Sequence, residues 1–210
     1  MLTNEQISAN KTEFLNLVDS ITREGIDKET LIKQLTQSDF FTAPASTIYH
    51  AGYDGGLCEH SLNVYYNLLN LVQSKGITAY SEDTLKIVAL FHDFSKMNHY
   101  EKYYQNKKVY KPEGSKSDNG GNFDWESVEG FKTRDSSERF LFGSHGQTSL
   151  FMVQRFIPLT TEEACAILNH MGGCDGEVPD LSSIYNRYNL VILLHTADLL
   201  ATFVDERMDK

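Results

Sequence analysis

The stretch that most constrains this chain is Ile87-Val88-Ala89-Leu90-Phe91-His92-Asp93-Phe94-Ser95-Lys96. Its first half reads as a buried helical run, a His-Asp doublet closes that run, and Lys96 follows one helical turn after His92. A carboxylate carried to the end of a buried helix gives up its hydration, which is costly unless a positive partner replaces the lost water. A metal ion is the simplest partner that an adjoining imidazole and carboxylate share.

One doublet cannot fill a coordination shell, so further ligands must come from elsewhere in the chain. Candidates lie on other stretches. His60 stands in Gly55-Gly56-Leu57-Cys58-Glu59-His60-Ser61, at the head of a long apolar-periodic segment, and His145 stands in Gly143-Ser144-His145-Gly146 before another. His170 closes a third in Ile167-Leu168-Asn169-His170-Met171-Gly172-Gly173. Asp198 interrupts the apolar run from Leu190 to Phe203, within His195-Thr196-Ala197-Asp198-Leu199-Leu200. Imidazole and carboxylate together suit a divalent transition metal with open positions for water.

In this order, His60, His92-Asp93 and Asp198 resemble the H…HD…D signature of the HD-domain metal-dependent phosphohydrolases. His145 and His170, between the doublet and the last Asp, resemble the two-metal branch of that superfamily. The likeness covers roughly residues 49–203 and is greatest to stand-alone HD domains and the catalytic domain of HD-type exoribonucleases, through Gly-Gly-Leu before His60 and Gly-x-His at 143–145. No GYP-type signature lies near the doublet. Ser95 stands where the family often has the glycine of HDxGK.

The resemblance implies an all-α HD-domain helical bundle. It implies one or two divalent ions (Mn, Fe, Ni, Mg or Zn), held by His60, His92, Asp93 and Asp198, with Asp93 bridging to a second ion at His145 and His170. Two such ions sit roughly 3.5–4 Å apart in two-metal hydrolases and make hydroxide available at neutral pH. Asp93 and Lys96 are then the catalytic candidates, with Lys96 meeting phosphate, and the expected substrate is a nucleotide or other small phosphate ester. Two other classes fit the same signature, a di-iron oxygenase on this fold and a non-catalytic nucleotide-binding sensor.

Composition narrows the partners. The 210 residues are 40% hydrophobic, enough for one compact domain over 1–210. A net charge of −10 makes duplex nucleic acid a poor partner. Cys58, Cys165 and Cys174 form no CxxC and read as reduced thiols of a cytoplasmic protein. No signal-peptide pattern opens the chain, and the Leu190 run is too short and too polar for a membrane span.

Along the chain, Thr3 with Gln6 forms a capping box for a first helix to about Thr22, and a second follows Asp27 with Leu31, Ile32 and Leu35 inward. These helices, in residues 1–40, are expected to brace the catalytic ones. A glycine-rich loop ending in Tyr49-His50-Ala51-Gly52-Tyr53-Asp54-Gly55-Gly56 leads into a helix from Leu57 to about Lys75, with Tyr53 and Glu59 placed to orient His60. Tyr53 is also a substrate-binding candidate. A fourth helix starts near Ser81.

Residues 99–140 read as an inserted flap, irregular or with a short β-hairpin pairing Lys107–Lys111 with a strand near 130–134. Its aromatics would stack on a base, and Lys132 or Arg134 would touch phosphate. Further helices are expected over Gln147–Ile157, after the Thr160-Glu163 capping box, and from about Leu190. His195 is a core histidine bonded to a carbonyl or a substrate contact. His50 and His99 read as loop residues near the site at most.

Overall fold

The computed structural model describes residues 1–47, 50–174 and 178–206. Tyr49 and residues 175–177 of the turn-rich stretch before Pro179 lie outside the described residues.

Five helices build the frame of the centre: α1 (Asn4–Asp19), α2 (Lys28–Gln37), α3 (Gly56–Ser74), α4 (Glu82–Phe91) and α5 (His145–Val153). They are completed by α6 (Thr161–Leu168), α7 (Leu181–Arg187) and α8 (Asn189–Leu200), the last continued by a π-helical turn over Ala201–Asp205. The capping boxes at Thr3-Gln6 and Thr160-Glu163 form as the sequence predicts, and Ser144 with Gln147 makes a third. Each gives an orphan N–H at a helix start a side-chain acceptor, which fixes where the helix begins.

The central element is α4. Every residue from Leu85 to Phe91 is buried, so this helix is enclosed on all sides rather than amphipathic. Full burial of each Leu, Val, Ile or Phe side chain stabilises the fold by about 1.5–3 kcal/mol relative to exposure. α1 braces it: Phe14 packs edge-on against Phe91 with ring centroids 5.9 Å apart, and also touches Phe40 and Phe41. One apolar cluster runs from Phe14 through α3 and α4 to Ala201.

Two glycines set the entry to α3. Gly55 adopts a left-handed conformation with φ of 84°, and a Cβ on Gly56 would stand 2.0 Å from the Ala51 carbonyl oxygen. Both positions therefore require glycine, and they deliver His60 in the second turn of the helix.

The all-α expectation is corrected. The molecule is helix-rich but also carries a three-stranded antiparallel sheet, ordered β1-β3-β2, from strands β1 (Tyr100–Tyr110), β2 (Lys116–Asp118) and β3 (Gly121–Thr133). β1 pairs with β3 along 11 residues, from Tyr100 opposite Thr133 to Tyr110 opposite Phe123. The short hairpin expected between Lys107–Lys111 and 130–134 is therefore a long ribbon, in which Lys107 faces Glu126 and Tyr103 faces Gly130. Most ribbon side chains are exposed or half-buried, so the alternation that marks a one-faced strand is faint in the sequence.

The ribbon is tied to the bundle at its base. Asn98 adopts φ of 56°, its N–H donates to Asp39 (2.6 Å), and the Asp39 N–H donates back to its Oδ1 (3.3 Å). α7 was not expected from the sequence. It is only seven residues long, none of them fully buried, with Ile184, Tyr185 and the following Tyr188 packed against the core. Among the described residues no single helix is long and apolar enough to cross a membrane; α7 and α8 with its π turn reach that length only as a pair bent by 109°.

Candidate metal centre

Three helix ends and two helix interiors meet at one point. α4 ends at His92, and Asp93 follows in the turn before a short 3-10 helix over Phe94–Lys96. α3 contributes His60, the start of α5 contributes His145, the residues after α6 contribute His170, and α8 contributes Asp198. His60, His92, Asp93, His170 and Asp198 are all buried, at 8% exposure or less.

The imidazoles face the centre in one sense. His92 Nδ1 lies 2.7 Å from the Ala89 carbonyl oxygen, and His170 Nδ1 lies 2.7 Å from that of Ile167. A carbonyl oxygen only accepts, so both Nδ1 atoms carry hydrogen, and it is Nε2 of each ring that is turned inward and left for an ion. His60 is held likewise, its Nδ1 3.0 and 3.1 Å from the two oxygens of Glu206. The inward Nε2 atoms crowd together, His92 to His60 at 3.2 Å and His170 to His145 at 3.0 Å.

Asp93 lies between two ligand sets and turns a different oxygen to each. Oδ2 faces His92 (3.5 Å), His60 (3.6 Å) and Lys96 Nζ (2.6 Å). Oδ1 faces His145 (2.8 Å) and His170 (3.5 Å). Asp198 Oδ1 approaches His60 Nε2 at 3.3 Å. Potential donor atoms of His60, His92 and Asp93 lie within 4.8 Å of one another, as do those of His92, His170 and Asp198 and those of Asp93, His145 and His170.

Electrostatics mark the same point. Burial opposes charge on His60, yet Glu206 and Asp198 outweigh it and raise the imidazole to about 10. Burial would raise Asp93, but Lys96 and then His92 hold it well below the ordinary carboxylate range. Asp198 is likewise lowered against its burial, chiefly by His60. The proton on His60 thus occupies a position suited to a cation, and the mixed imidazole-carboxylate donor set fits one or two divalent ions.

A cavity of about 150 Å³ opens onto this cluster. His50, Asp93, Lys96, His195, Asp198 and Thr202 form its polar wall, and Met171, Cys174, Leu199 and Phe203 complete it. Burial opposes the charge on Lys96, but Asp93 outweighs it and raises the ammonium. His195 donates from Nδ1 to the His170 carbonyl oxygen at 2.6 Å, so it is both bonded to a carbonyl and on the cavity wall. Ser95 does not free the turn: its N–H donates to Ser149 Oγ at 3.1 Å, which fastens the start of the Lys96 turn to α5.

All six sequence-predicted ligands meet here, while other candidates lie elsewhere. Tyr53 donates to Glu59 at 2.6 Å, and neither orients His60; Glu206 takes that place. Burial, and then this bond to Glu59, raise the Tyr53 phenol. Lys132 pairs with Glu101 across the ribbon, and Arg134 approaches Asp39 at 3.8 Å; neither lines the cavity among its described residues. The reason is register. Lys132 lies in β3 directly opposite Glu101, Arg134 follows the strand at the base of the ribbon, and both are spent on neighbouring carboxylates.

Glu206 was missed, and His50, read as a loop residue near the site at most, belongs to the cavity wall. His50 lines the cavity with its ring centroid 4.7 Å from that of His60, and both its nitrogens are buried without a hydrogen-bond partner among the described residues. Burial, then His60 and Lys96, lower it to about 4. Glu206 is buried and its signal is absent from any α-helical spacing. Set against known proteins, the chain matches no family model, no curated protein and no solved structure. The centre stands on its own geometry.

Proposed function

We propose that this protein is a metal-dependent phosphohydrolase acting on a small phosphate ester, with nucleotides the first class to test. The observation that carries the reading is the set of Nε2 atoms that His60, His92 and His170 turn inward around Asp93, whose two oxygens face separate donor groups. It agrees with the resemblance of these residues to the HD-domain phosphohydrolases.

His60, His92, Asp93 and Asp198 would hold one divalent ion, and Asp93, His145 and His170 a second. Bound there, such ions supply a Lewis acid and a water acidic enough to attack phosphorus near neutral pH. The chain does the rest. Lys96, pinned by Asp93 at 2.6 Å and lining the cavity, offers an ammonium to an equatorial phosphoryl oxygen as charge grows there. His50, lowered to about 4 and so neutral, has no hydrogen-bond partner among the described residues, so its one N–H is left for a bound ester. Met171, Leu199 and Phe203 give the cavity its apolar wall. A cavity of 150 Å³ is about half the size of the smaller drug-sized ligand pockets, so it suits a phosphoryl group and the atoms next to it.

Lys96 in the cavity favours phosphate chemistry over the di-iron oxygenase alternative. The deciding experiment screens metal-replete protein against mononucleotides, short oligonucleotides and aryl phosphates, with elemental analysis and an oxygen electrode alongside. Phosphate release that chelation abolishes is the expected result. Oxygen uptake without phosphate release would overturn the proposal, and nucleotide binding with neither would favour the sensor.

A further inference from the structure

The last helix reaches His60 twice. Asp198 approaches Nε2 at 3.3 Å, and eight positions later Glu206 grips Nδ1 at 3.0 and 3.1 Å. In an unbroken α-helix eight residues sweep about 800°, which leaves two such side chains about 80° apart. The π-helical turn over Ala201–Asp205 changes that. Its Glu206 N–H donates to the Ala201 carbonyl oxygen at 2.9 Å, the five-residue step of a π turn. One residue is added without adding a turn, so the pair returns to within about 20° of alignment.

The receiving side of α3 is shaped for this turn. His60, Asn63 and Asn67 lie along one face, at helical spacings. Asn63 Nδ2 donates to Glu206 Oε1 at 2.9 Å, and Asn67 Nδ2 donates to Asp205 Oδ2 at 2.7 Å. Glu206 is 6% exposed, and among the described residues no lysine or arginine pairs with it. A second imidazole, His50, brings a nitrogen within 4.8 Å of the carboxylate and of His60 but makes no hydrogen bond to it among the described residues, and a buried carboxylate bonded to one imidazole and one amide is costly as pure structure. It is well placed as an outer partner of a metal ligand, because it fixes the proton on Nδ1 and leaves the Nε2 lone pair for an ion.

We infer that Glu206, swung into line by the π turn, is a positioning residue of the metal centre: it sets the tautomer and basicity of His60 and does not itself bind the ion. Its oxygens meet the Nδ1 edge of the ring, while Asp93, His92 and Asp198 surround Nε2. The inference rests on the metal reading of the centre, and predicts that the ion is held more tightly because of a carboxylate one imidazole away.

Zinc titration by calorimetry tests it on the full chain, with wild type, Glu206→Gln and Asp205→Asn compared and helix content followed by circular dichroism. Gln keeps the size of the side chain and removes its charge. Asp205→Asn disturbs the same turn without touching His60, so it separates a structural effect from the proposed one. Glu206→Gln is expected to weaken zinc binding about 10–100-fold at unchanged stoichiometry. Asp205→Asn should stay within about twofold of wild type, since its partner Asn67 is remote from the ion. In the zinc-loaded wild type, nitrogen NMR should show His60 protonated at Nδ1 and bare at Nε2.

Three results overturn the inference: equal affinity in Glu206→Gln and wild type, loss of a whole zinc equivalent in that variant, which would make Glu206 a ligand, or an equal loss in Asp205→Asn. A wild type that binds no zinc or other divalent ion is a different failure. It removes the metal reading itself and this inference with it.

Discussion

Two lysine-aspartate pairs in this molecule have the same length and opposite meanings. Lys96 meets Asp93 at 2.6 Å at the bottom of the bundle, and Lys102 meets Asp54 at 2.6 Å on the ribbon. The first pair has side-chain exposures of 14% and 3%, the second 44% and 44%. Water and salt screen the ribbon pair, and holding two long side chains together offsets much of the remaining attraction. In the bundle there is little water to screen, and an unmatched charge is expensive. The ribbon is as rich in charged contacts as the centre, but only burial turns such contacts into a site.

The largest expected difference between the two regions comes from Asp93→Asn. That change removes the carboxylate whose two oxygens face the two donor sets, and an amide cannot replace a bridging carboxylate. Phosphate release from the metal-replete variant should fall by about 10³-fold or more, about 4 kcal/mol of barrier. Phosphate release at the wild-type rate, measured on protein of confirmed metal content, would show that the buried cluster is not the reactive centre.

Next is Lys96→Ala, which keeps the ligands and takes away the ammonium on the cavity wall. The expected loss in kcat is about 100-fold, the scale seen when a single charge-stabilising group is removed. The metal-free variant should also melt lower than metal-free wild type, because Asp93 is then buried without its cation. Metal should restore most of that loss. A variant with normal kcat would place Lys96 with the ribbon lysines, as a structural partner alone.

The same contrast explains what the sequence could and could not disclose. His60, His92, Asp93, His145, His170 and Asp198 were legible because polar residues at the ends or insides of apolar helices need a reason to be there. The capping boxes at Thr3 and Thr160 were legible because their chemistry is local. Glu206 was not, since its alignment with Asp198 depends on a π turn that no simple period encodes. His50 was legible only as a loop residue near the site, because its place on the cavity wall comes from where a glycine-rich loop folds over α3. The extent of the ribbon was hidden by solvent on both faces. Lys132 and Arg134 looked like phosphate contacts only because a sequence shows charge without direction.

A pH experiment sharpens the comparison further. His60 is raised from 6.5 to about 10 in the metal-free protein, so its stabilising contribution is complete below about 6.5 and is lost as pH rises through about 10. Asp198 is lowered from 3.8, so its contribution is present above that value and is lost as pH falls below it. The metal-free melting temperature should therefore decline from neutral pH toward 10, while the metal-loaded protein should hold flatter, since the ion has displaced the proton. For the same reason, metal affinity should rise about tenfold per pH unit from 7 to 9. Parallel pH profiles with and without metal would remove His60 from the ligand set.

The smallest effect is expected where the contacts are most visible. Lys102→Ala breaks the pair with Asp54 at 2.6 Å and the one with Glu129 at 3.0 Å in a single change. Its ammonium is raised by hydrogen bonds to Asp54 and Glu129, but exposure leaves both pairs open to screening. The melting temperature should move by about 1–2 °C at most, and the difference from wild type should shrink in high salt. Phosphate release should be unaffected, because Lys102 does not line the cavity. A drop in activity matching that of Lys96→Ala would break the distinction drawn from burial, and would mean that the ribbon folds its charged face over the substrate during turnover.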